Sequence, residues 1–269
     1  MRVPNVEDSS GVSRADFAEL RTEFSRFMML YQFGISELMT KVNILKDEFT
    51  HINQYSPIEH VTSRVKSPDS ILRKAQRLNV PLTIDDISKN IFDIAGVRIT
   101  CSFISDTYRI AEMLTSQTDL RVIEREDYIA DPKPNGYKSL HLIVEVPVFM
   151  SDRVRHVPIE LQIRTIAMDF WASLEHKIYY KYNREVPVEL LDELTEAAAA
   201  AHRLDVKMER LNDEFAKIKA LPHPDDEILE QDLPAQFLDH LDELAGTAVR
   251  QVIPIDGSDD DMLKAQLGG

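Results

Sequence analysis

The sequence predicts an α/β (α+β) protein: a mixed β-sheet flanked by helices, with helical extensions at both ends. Three observations carry this. Residues 156–164, HVPIELQIR, alternate apolar Val157, Ile159, Leu161 and Ile163 with Pro158, Glu160, Gln162 and Arg164. That period of two marks a strand with one apolar and one polar face. Residues 17–49 and 187–221 instead repeat apolar residues at helical spacing, and strand-like and helix-like stretches alternate between them.

The elements follow in order. Residues 13–52 read as helix: Ser13 with Asp16 resembles a capping box, and Phe17, Leu20, Phe24, Phe27 and Tyr31 share a face. Ile35, Leu38, Val42, Leu45 and Phe49 continue it, with Gly34 as an expected break or kink. SPDSILRKAQRLN opens a helix with Ser67 as N-cap and Pro68 at the first helical position. IAGVRITCSF reads as a strand and SDTYRIAEMLTSQ as a capped helix. LRVIEREDYI and SLHLIVEVPV are strands separated by the turn-rich ADPKPNGYK. The strand quoted above comes next, then a helix over 165–181 and a long Ala-rich helix over 187–221 with a proline at its start.

Four segments result: an N-terminal helical region (1–52), a mixed β/α core (53–185), a C-terminal helix (186–221) and an acidic, weakly structured tail (222–269). The formal net charge is −15, but residues 222–269 hold 12 acids against 2 bases, so the other 221 residues carry only −5 (34 acids, 29 bases). The apolar runs are too short to span a bilayer, and the N-terminus shows no apolar signal region. Cys101 is the single cysteine and reads as a small buried hydrophobe, so no disulfide or zinc set is expected. A cytoplasmic protein without a membrane or DNA partner is the expectation.

Four constellations carry chemistry. In HVTSRVKSPDS, His60, Arg64 and Lys66 precede a helix N-terminus, with Arg73, Lys74 and Arg77 along the helix. Free N–H groups, a positive dipole end and cations suit a polyphosphate, although an ordinary basic surface helix looks the same. In DIAGVRI, Asp93 at a strand entry suits Mg²⁺, but such an Asp more often caps a turn. In DPKPNGYKSLH a turn gathers Lys133, Tyr137, Lys138, Ser139 and His141. A ring beside cations suits a nucleotide, as does a plain turn with an exposed tyrosine. Glu160, Gln162 and Arg164 form either the solvent face of an edge strand or a functional row. The apolar helix after them, with Phe170, Trp171 and Leu174, favours the second. Glu160 and Asp93 could then share one Mg²⁺, with Glu160 free to take a proton from a hydroxyl. The helix itself reads as backing to the site, with Glu175, His176 and Lys177 as structural hydrogen-bonding groups.

In this order the stretches HVTSRVKSPDSILRK, DIAGVRI, KPNGYKSLHL and ELQIRTIAMDFWASLEHK resemble the RelA/SpoT-type synthetases, and within them the single-domain small alarmone synthetases. The resemblance covers about residues 35 to 185. It implies a nucleotidyltransferase-like fold and transfer of the β,γ-pyrophosphate of ATP to the 3′-hydroxyl of GTP or GDP, giving AMP and pppGpp or ppGpp. It implies that Asp93 and Glu160 hold Mg²⁺ and that Glu160 activates the hydroxyl. Arg64 and Arg98 would sandwich the adenine, with Lys66, Ser67, Lys74 and Arg77 on the ATP phosphates. Tyr137 would stack on guanine, and Lys133, Asn135, Lys138, His141, Gln162 and Arg164 would serve the acceptor. Such chemistry needs positioning and charge neutralisation more than a covalent nucleophile.

No His-Asp dipeptide occurs, which implies synthesis without the hydrolase domain of the long relatives. Lys138 stands where relatives carry Arg or Gln. The resemblance also implies a homotetramer built through terminal helices, although those stripes could equally pack on their own core. Regulation by an alarmone or an RNA is left open. Two rivals remain: a toxin-like tRNA 3′-end pyrophosphokinase, which the acidic balance disfavours, and a catalytically silent nucleotide- or RNA-binding regulator, which has no need for both Asp93 and Glu160.

Overall fold

The computed structural model describes residues 14–53, 55–181 and 187–219. The elements are α1 (Arg14–Asn53), β1 (Ile58–Val65), α2 (Pro68–Arg77), α3 (Ile84–Asn90), β2 (Ala95–Cys101), α4 (Ile104–Thr115), β3 (Arg121–Asp127), β4 (Leu140–Phe149), β5 (Val154–Thr165), α5 (Ile166–Lys181) and α6 (Val188–Lys219). The chain divides into two compact units, Met1–Asn212 and Asp213–Gly269; of the second, residues 213–219 are described and are helical. The expected cap at Ser13 and the acidic tail over 222–269 lie outside the described residues.

The five strands form one mixed sheet in the order β1-β2-β5-β4-β3. β2 and β5 run parallel, and the other neighbours are antiparallel. β5 is therefore the central strand, with neighbours on both sides, and the edge-strand reading of its polar row does not hold. Val97, Ile99, Leu142, Val144, Ile159 and Leu161 put the apolar face into the core with Tyr31, Leu38 and Val42 of α1 and Ile110 and Leu114 of α4. Each such side chain withdrawn from water contributes about 1.5–3 kcal/mol, so α1 and α4 fix the sheet from its apolar side and leave the polar face clear of both. Cys101 is buried in this core as expected, and burial pushes its thiol pKa up.

Three features depart from the sequence expectation. α1 runs uninterrupted through Gly34, because the helix there lies almost on β5: a Cβ at Gly34 would stand 3.1 Å from Val157 Cγ1. The glycine serves close packing, not a kink. Residues 58–65, expected only as a basic approach to a helix, form β1, an edge strand whose mixed polarity conceals its alternation. The seven-residue α3 was unforeseen because it is too short for a helical period; Thr83 caps it by accepting a hydrogen bond from Asp86 N at 3.1 Å.

Candidate active site

The polar face of the sheet assembles most of the expected site. Gly96 of β2 is paired with Arg64 of β1 and with Glu160 of β5, whose other neighbour is Ile143 of β4. One step along, Arg98 is paired with Gln162, and Gln162 with His141. Strand partners in register share a face, so β5 presents Glu160, Gln162 and Arg164 between a donor-like side built by β1 and β2 and a second side built by β4. A cleft of about 190 Å³ opens here, lined by Arg64, Arg98, Glu160 and Gln162 with Gly96 at its floor.

At one end of the cleft the N-terminus of α2 meets the entry to β2. Ser67 caps α2 by accepting from Ser70 N at 3.3 Å. The backbone N–H of Lys66 donates to Ile94 O at 2.7 Å, which ties the end of β1 to the turn carrying Asp93. Lys66 Nζ lies 2.5 Å from Asp93 Oδ2 and Lys74 Nζ 2.8 Å from Oδ1. Burial pushes the Asp93 pKa upward, but the hydrogen bonds and charges of the two lysines outweigh it and hold the carboxyl below its ordinary value. Arg64 and Arg77 are exposed, and Arg77 follows Lys74 by three residues, on the same side of α2.

On the other side, the turn before β4 gathers an aromatic and cationic cage. Tyr137 OH lies 2.8 Å from His141 Nε2 and accepts from Arg164 Nη2 at 3.2 Å. The Tyr128 ring meets Tyr137 and His141 edge-on, at 6.2 and 5.2 Å between centroids, and Lys133 Nζ sits 4.2 Å from the Tyr128 centroid. Asn135 braces the turn: it accepts from Tyr137 N and donates to Glu175 Oε1, both at 3.2 Å. Lys138 reaches Ile129 O instead, at 3.0 Å, where burial lowers its pKa and Asp205 opposes that. Burial, with the charges of Arg164 and Lys133, pushes the His141 pKa down to about 4, so the ring is neutral at pH 7.

The central row is itself hydrogen-bonded. Gln162 Nε2 donates to Glu160 Oε2 at 3.0 Å, and Arg164 Nη2 donates to Gln162 Oε1 at 2.5 Å. Glu160 Oε1 is 3.6 Å from His141 Nδ1. Two site residues escape sequence reasoning. Tyr128 is the turn residue directly after β3 and has no motif of its own. Asp169 of α5 lies 3.3 Å from Arg98 Nη1 and 3.4 Å from Arg164 Nη1, so α5 is part of the site and not only its backing. Glu175 does act structurally, through Asn135.

The residues fit a hard divalent cation. Asp93 is a part-buried carboxylate whose two oxygens now face the Lys66 and Lys74 ammonium groups, and with the Glu160 carboxylate it offers the hard oxygen donors such a cation takes. Among the described residues no group of three or more His, Cys, Asp or Glu could hold a metal. A cation bound by Asp93 and Glu160 would complete its shell with water and phosphate oxygens, which is the habit of Mg²⁺.

Comparison with known proteins shows what the chain as a whole is similar to. A family model described as the region found in RelA / SpoT proteins matches residues 63–185. The chain is 50% identical over 201 residues to the GTP pyrophosphokinase YwaC of Bacillus subtilis, covering 75% of this chain and 96% of the relative. The crystal structure of small alarmone synthetase 2 from Bacillus subtilis superposes with a TM-score of 0.66 at 51% identity, covering 71% of this chain and 99% of that one. Small alarmone synthetase 1 of the same organism, bound to its product pppGpp, gives 0.67 at 40% identity, covering 71% and 97%.

Proposed function

The chain belongs to the RelA/SpoT family, in its small alarmone synthetase branch, and from that premise we propose how its polar sheet face divides two nucleotides. The protein is a GTP pyrophosphokinase, an ATP:GTP 3′-diphosphotransferase. Under our reading ATP lies on the β1–β2 side. Arg64 and Arg98 sandwich the adenine, and Lys66, Ser67, Lys74 and Arg77 meet its phosphates at the α2 N-terminus. GTP or GDP lies on the β4 side, with guanine on Tyr137 and with Lys133, Asn135, His141, Gln162 and Arg164 around it. Lys138, engaged with Ile129 O, supports the turn more directly than it meets the acceptor.

The observation that carries this reading is the place of Glu160: it faces the cleft from the central strand, between the two sets of nucleotide residues. It accepts the 3′-hydroxyl proton as the oxygen attacks the β-phosphorus of ATP; the bond to the α–β bridging oxygen breaks, and AMP leaves. Gln162, donating to Glu160 Oε2 at 3.0 Å, holds the carboxylate toward the acceptor, while Lys66 and Lys74 neutralise the phosphates. Mg²⁺ held by Asp93 and Glu160 would supply neutralisation of charge on the transferred group.

Three finer readings accompany it. The chain makes alarmone without hydrolysing it, since no His-Asp dipeptide is present. It self-associates as a homotetramer, supported by an apolar groove of about 1140 Å³ between α5 and α6, lined by Ile166, Phe170, Leu174 and Leu204. It works in the cytoplasm, supported by the lack, among the described residues, of any helix long and apolar enough to cross a membrane.

Incubation with labelled ATP and GTP, GDP or tRNA tests the assignment. Label is expected on GTP and GDP; label on tRNA alone overturns it. Glu160→Gln is expected to abolish transfer while ATP still binds, and unchanged turnover in that variant removes Glu160 from the mechanism.

A further inference from the structure

Arg98 of β2 and Arg164 of β5 project from the same sheet face. Thr100 and Arg164 are strand partners, as are Arg98 and Gln162, so the two arginines sit one pleat apart. Two guanidinium groups at that spacing repel each other, and Arg98 is among the charges that lower the Arg164 pKa after burial itself. Asp169, in the first turn of α5, places a single oxygen between them: Oδ1 is 3.3 Å from Arg98 Nη1 and 3.4 Å from Arg164 Nη1.

We propose that Asp169 is a positioning residue that serves both nucleotide sites at once, holding Arg98 for the donor and Arg164 for the acceptor through one shared carboxylate oxygen. This rests on the donor and acceptor sides assigned above and adds a residue that couples them.

The geometry makes the two dependencies unequal. Arg164 is fixed independently by Gln162 Oε1 at 2.5 Å and Tyr137 OH at 3.2 Å, and its side chain is only 3% exposed. Arg98 is 36% exposed, and among the described residues Asp169 is the one side chain paired with it. Both ion pairs are also loose. Asp169 Oδ1, Arg98 Nε and Arg164 Nε are buried without a hydrogen bond, so the carboxylate orients the guanidinium groups without saturating their donors. Substitution of Asp169 should therefore fall mainly on ATP through Arg98 and weakly on the acceptor through Arg164, whereas a general loss of packing would move both constants together or neither.

The experiment measures KM for ATP and for GTP in Asp169→Asn, Arg98→Ala and the double variant, with thermal melting as the control for folding. Asp169→Asn is expected to raise the ATP KM about tenfold and the GTP KM about two- to threefold, with a melting temperature near that of the parent chain. In the Arg98→Ala background the same change should add nothing further to the ATP KM, because the pair acts as one unit. Additive effects, or an ATP KM unchanged by Asp169→Asn while Arg98→Ala raises it, overturn the proposal. An ATP KM untouched by Arg98→Ala overturns instead the donor-side assignment on which the proposal rests. If the amide proves hard to accommodate, Asp169→Ser removes the carboxylate with less bulk and is read in the same way.

Discussion

Lys66 Nζ lies 2.5 Å from Asp93 Oδ2, with Lys74 Nζ 2.8 Å from the other oxygen, so the carboxylate assigned to Mg²⁺ and the lysines assigned to ATP phosphate form one cluster. Bound ATP and cation would give each group a new partner of the right charge, and the lysines would turn from Asp93 to phosphate. Asp93→Asn removes the ligand charge while keeping the shape. Turnover is expected to fall by about 10²–10³-fold, a loss typical of a removed transition-state contact. Stability should fall by roughly 1–3 kcal/mol, because Lys66 and Lys74 are part-buried and each loses a charged partner. Turnover above a tenth of the parent value would take Asp93 out of the site.

Tyr137 separates ring from hydroxyl. Its ring is the proposed guanine platform, and its hydroxyl bridges His141 and Arg164. Tyr137→Ala should raise the GTP KM by about 5–150-fold, from a stacking loss of ~1–3 kcal/mol. Tyr137→Phe keeps the ring and loses a neutral hydrogen-bonding group worth ~1 kcal/mol, about fivefold. The ATP KM should move little in either variant, and equal effects on both substrates would refute the stacking role.

Asp205 predicts a pH dependence. Buried at 6% exposure on α6, it accepts from Thr165 Oγ1 at 2.7 Å. Burial raises its pKa to about 6, Glu209 adds to the rise, and Thr165 and Lys138 oppose it. A carboxyl raised on folding contributes stability below its unfolded value, near 4, and loses that contribution as pH rises through about 6. Asp205→Asn removes this pH-dependent loss and keeps the acceptor for Thr165. The variant should melt higher than the parent at pH 7–8, by up to about 3 kcal/mol in stability, with the difference vanishing near pH 4. A melting difference independent of pH would exclude Asp205 as its source.

Glu209 caps a helix from a distance. The N-cap residue of α4, Phe103, makes no side-chain cap. Instead Glu209 of α6 accepts from the Ile104 N–H at 2.7 Å and the Ser105 N–H at 3.2 Å. A carboxylate at a helix N-terminus satisfies orphan donors and complements the dipole. Glu209→Ala should destabilise the protein by about 1–2 kcal/mol and speed amide exchange at Ile104 and Ser105. Unchanged exchange there would mean that the cap is not made in solution.

Local chemistry was legible in the sequence where it repeats at short range. The β5 alternation, the Ser67–Pro68 helix start and the NG turn each declare their geometry within a few residues, and they placed Glu160 on its strand, Lys66 just before α2 and Tyr137 in the turn before β4. Contacts made across the fold were not legible. Asp169 meets its two arginines only because β2 and β5 are parallel neighbours with α5 folded back over them. Gly34 looked like a break because helix propensity is local, whereas its proximity to Val157 is tertiary. Edge strand β1 stayed hidden because solvent on its flank removes the apolar alternation that reveals β5.

Gly136 joins the acceptor turn to α6, and both backbone and packing require a glycine there. Its φ is +85°, a conformation that costs an L side chain about 1 kcal/mol or more. A Cβ at this position would also stand 2.5 Å from Ala198 Cβ, a small buried residue of α6. Neither atom can retreat by rotating a side chain, so the turn or the helix must shift. Gly136→Ala should lower stability by roughly 2–4 kcal/mol, the sum of backbone strain and overpacking, and raise the GTP KM because Tyr137 follows directly. Ala198→Gly in the same chain removes the clash but not the strain, at a helix-propensity cost of ~1 kcal/mol. The double variant should therefore recover much of the GTP KM while staying less stable than the parent. A GTP KM as poor in the double variant as in Gly136→Ala would place the damage in the backbone of the turn, and not in its contact with α6.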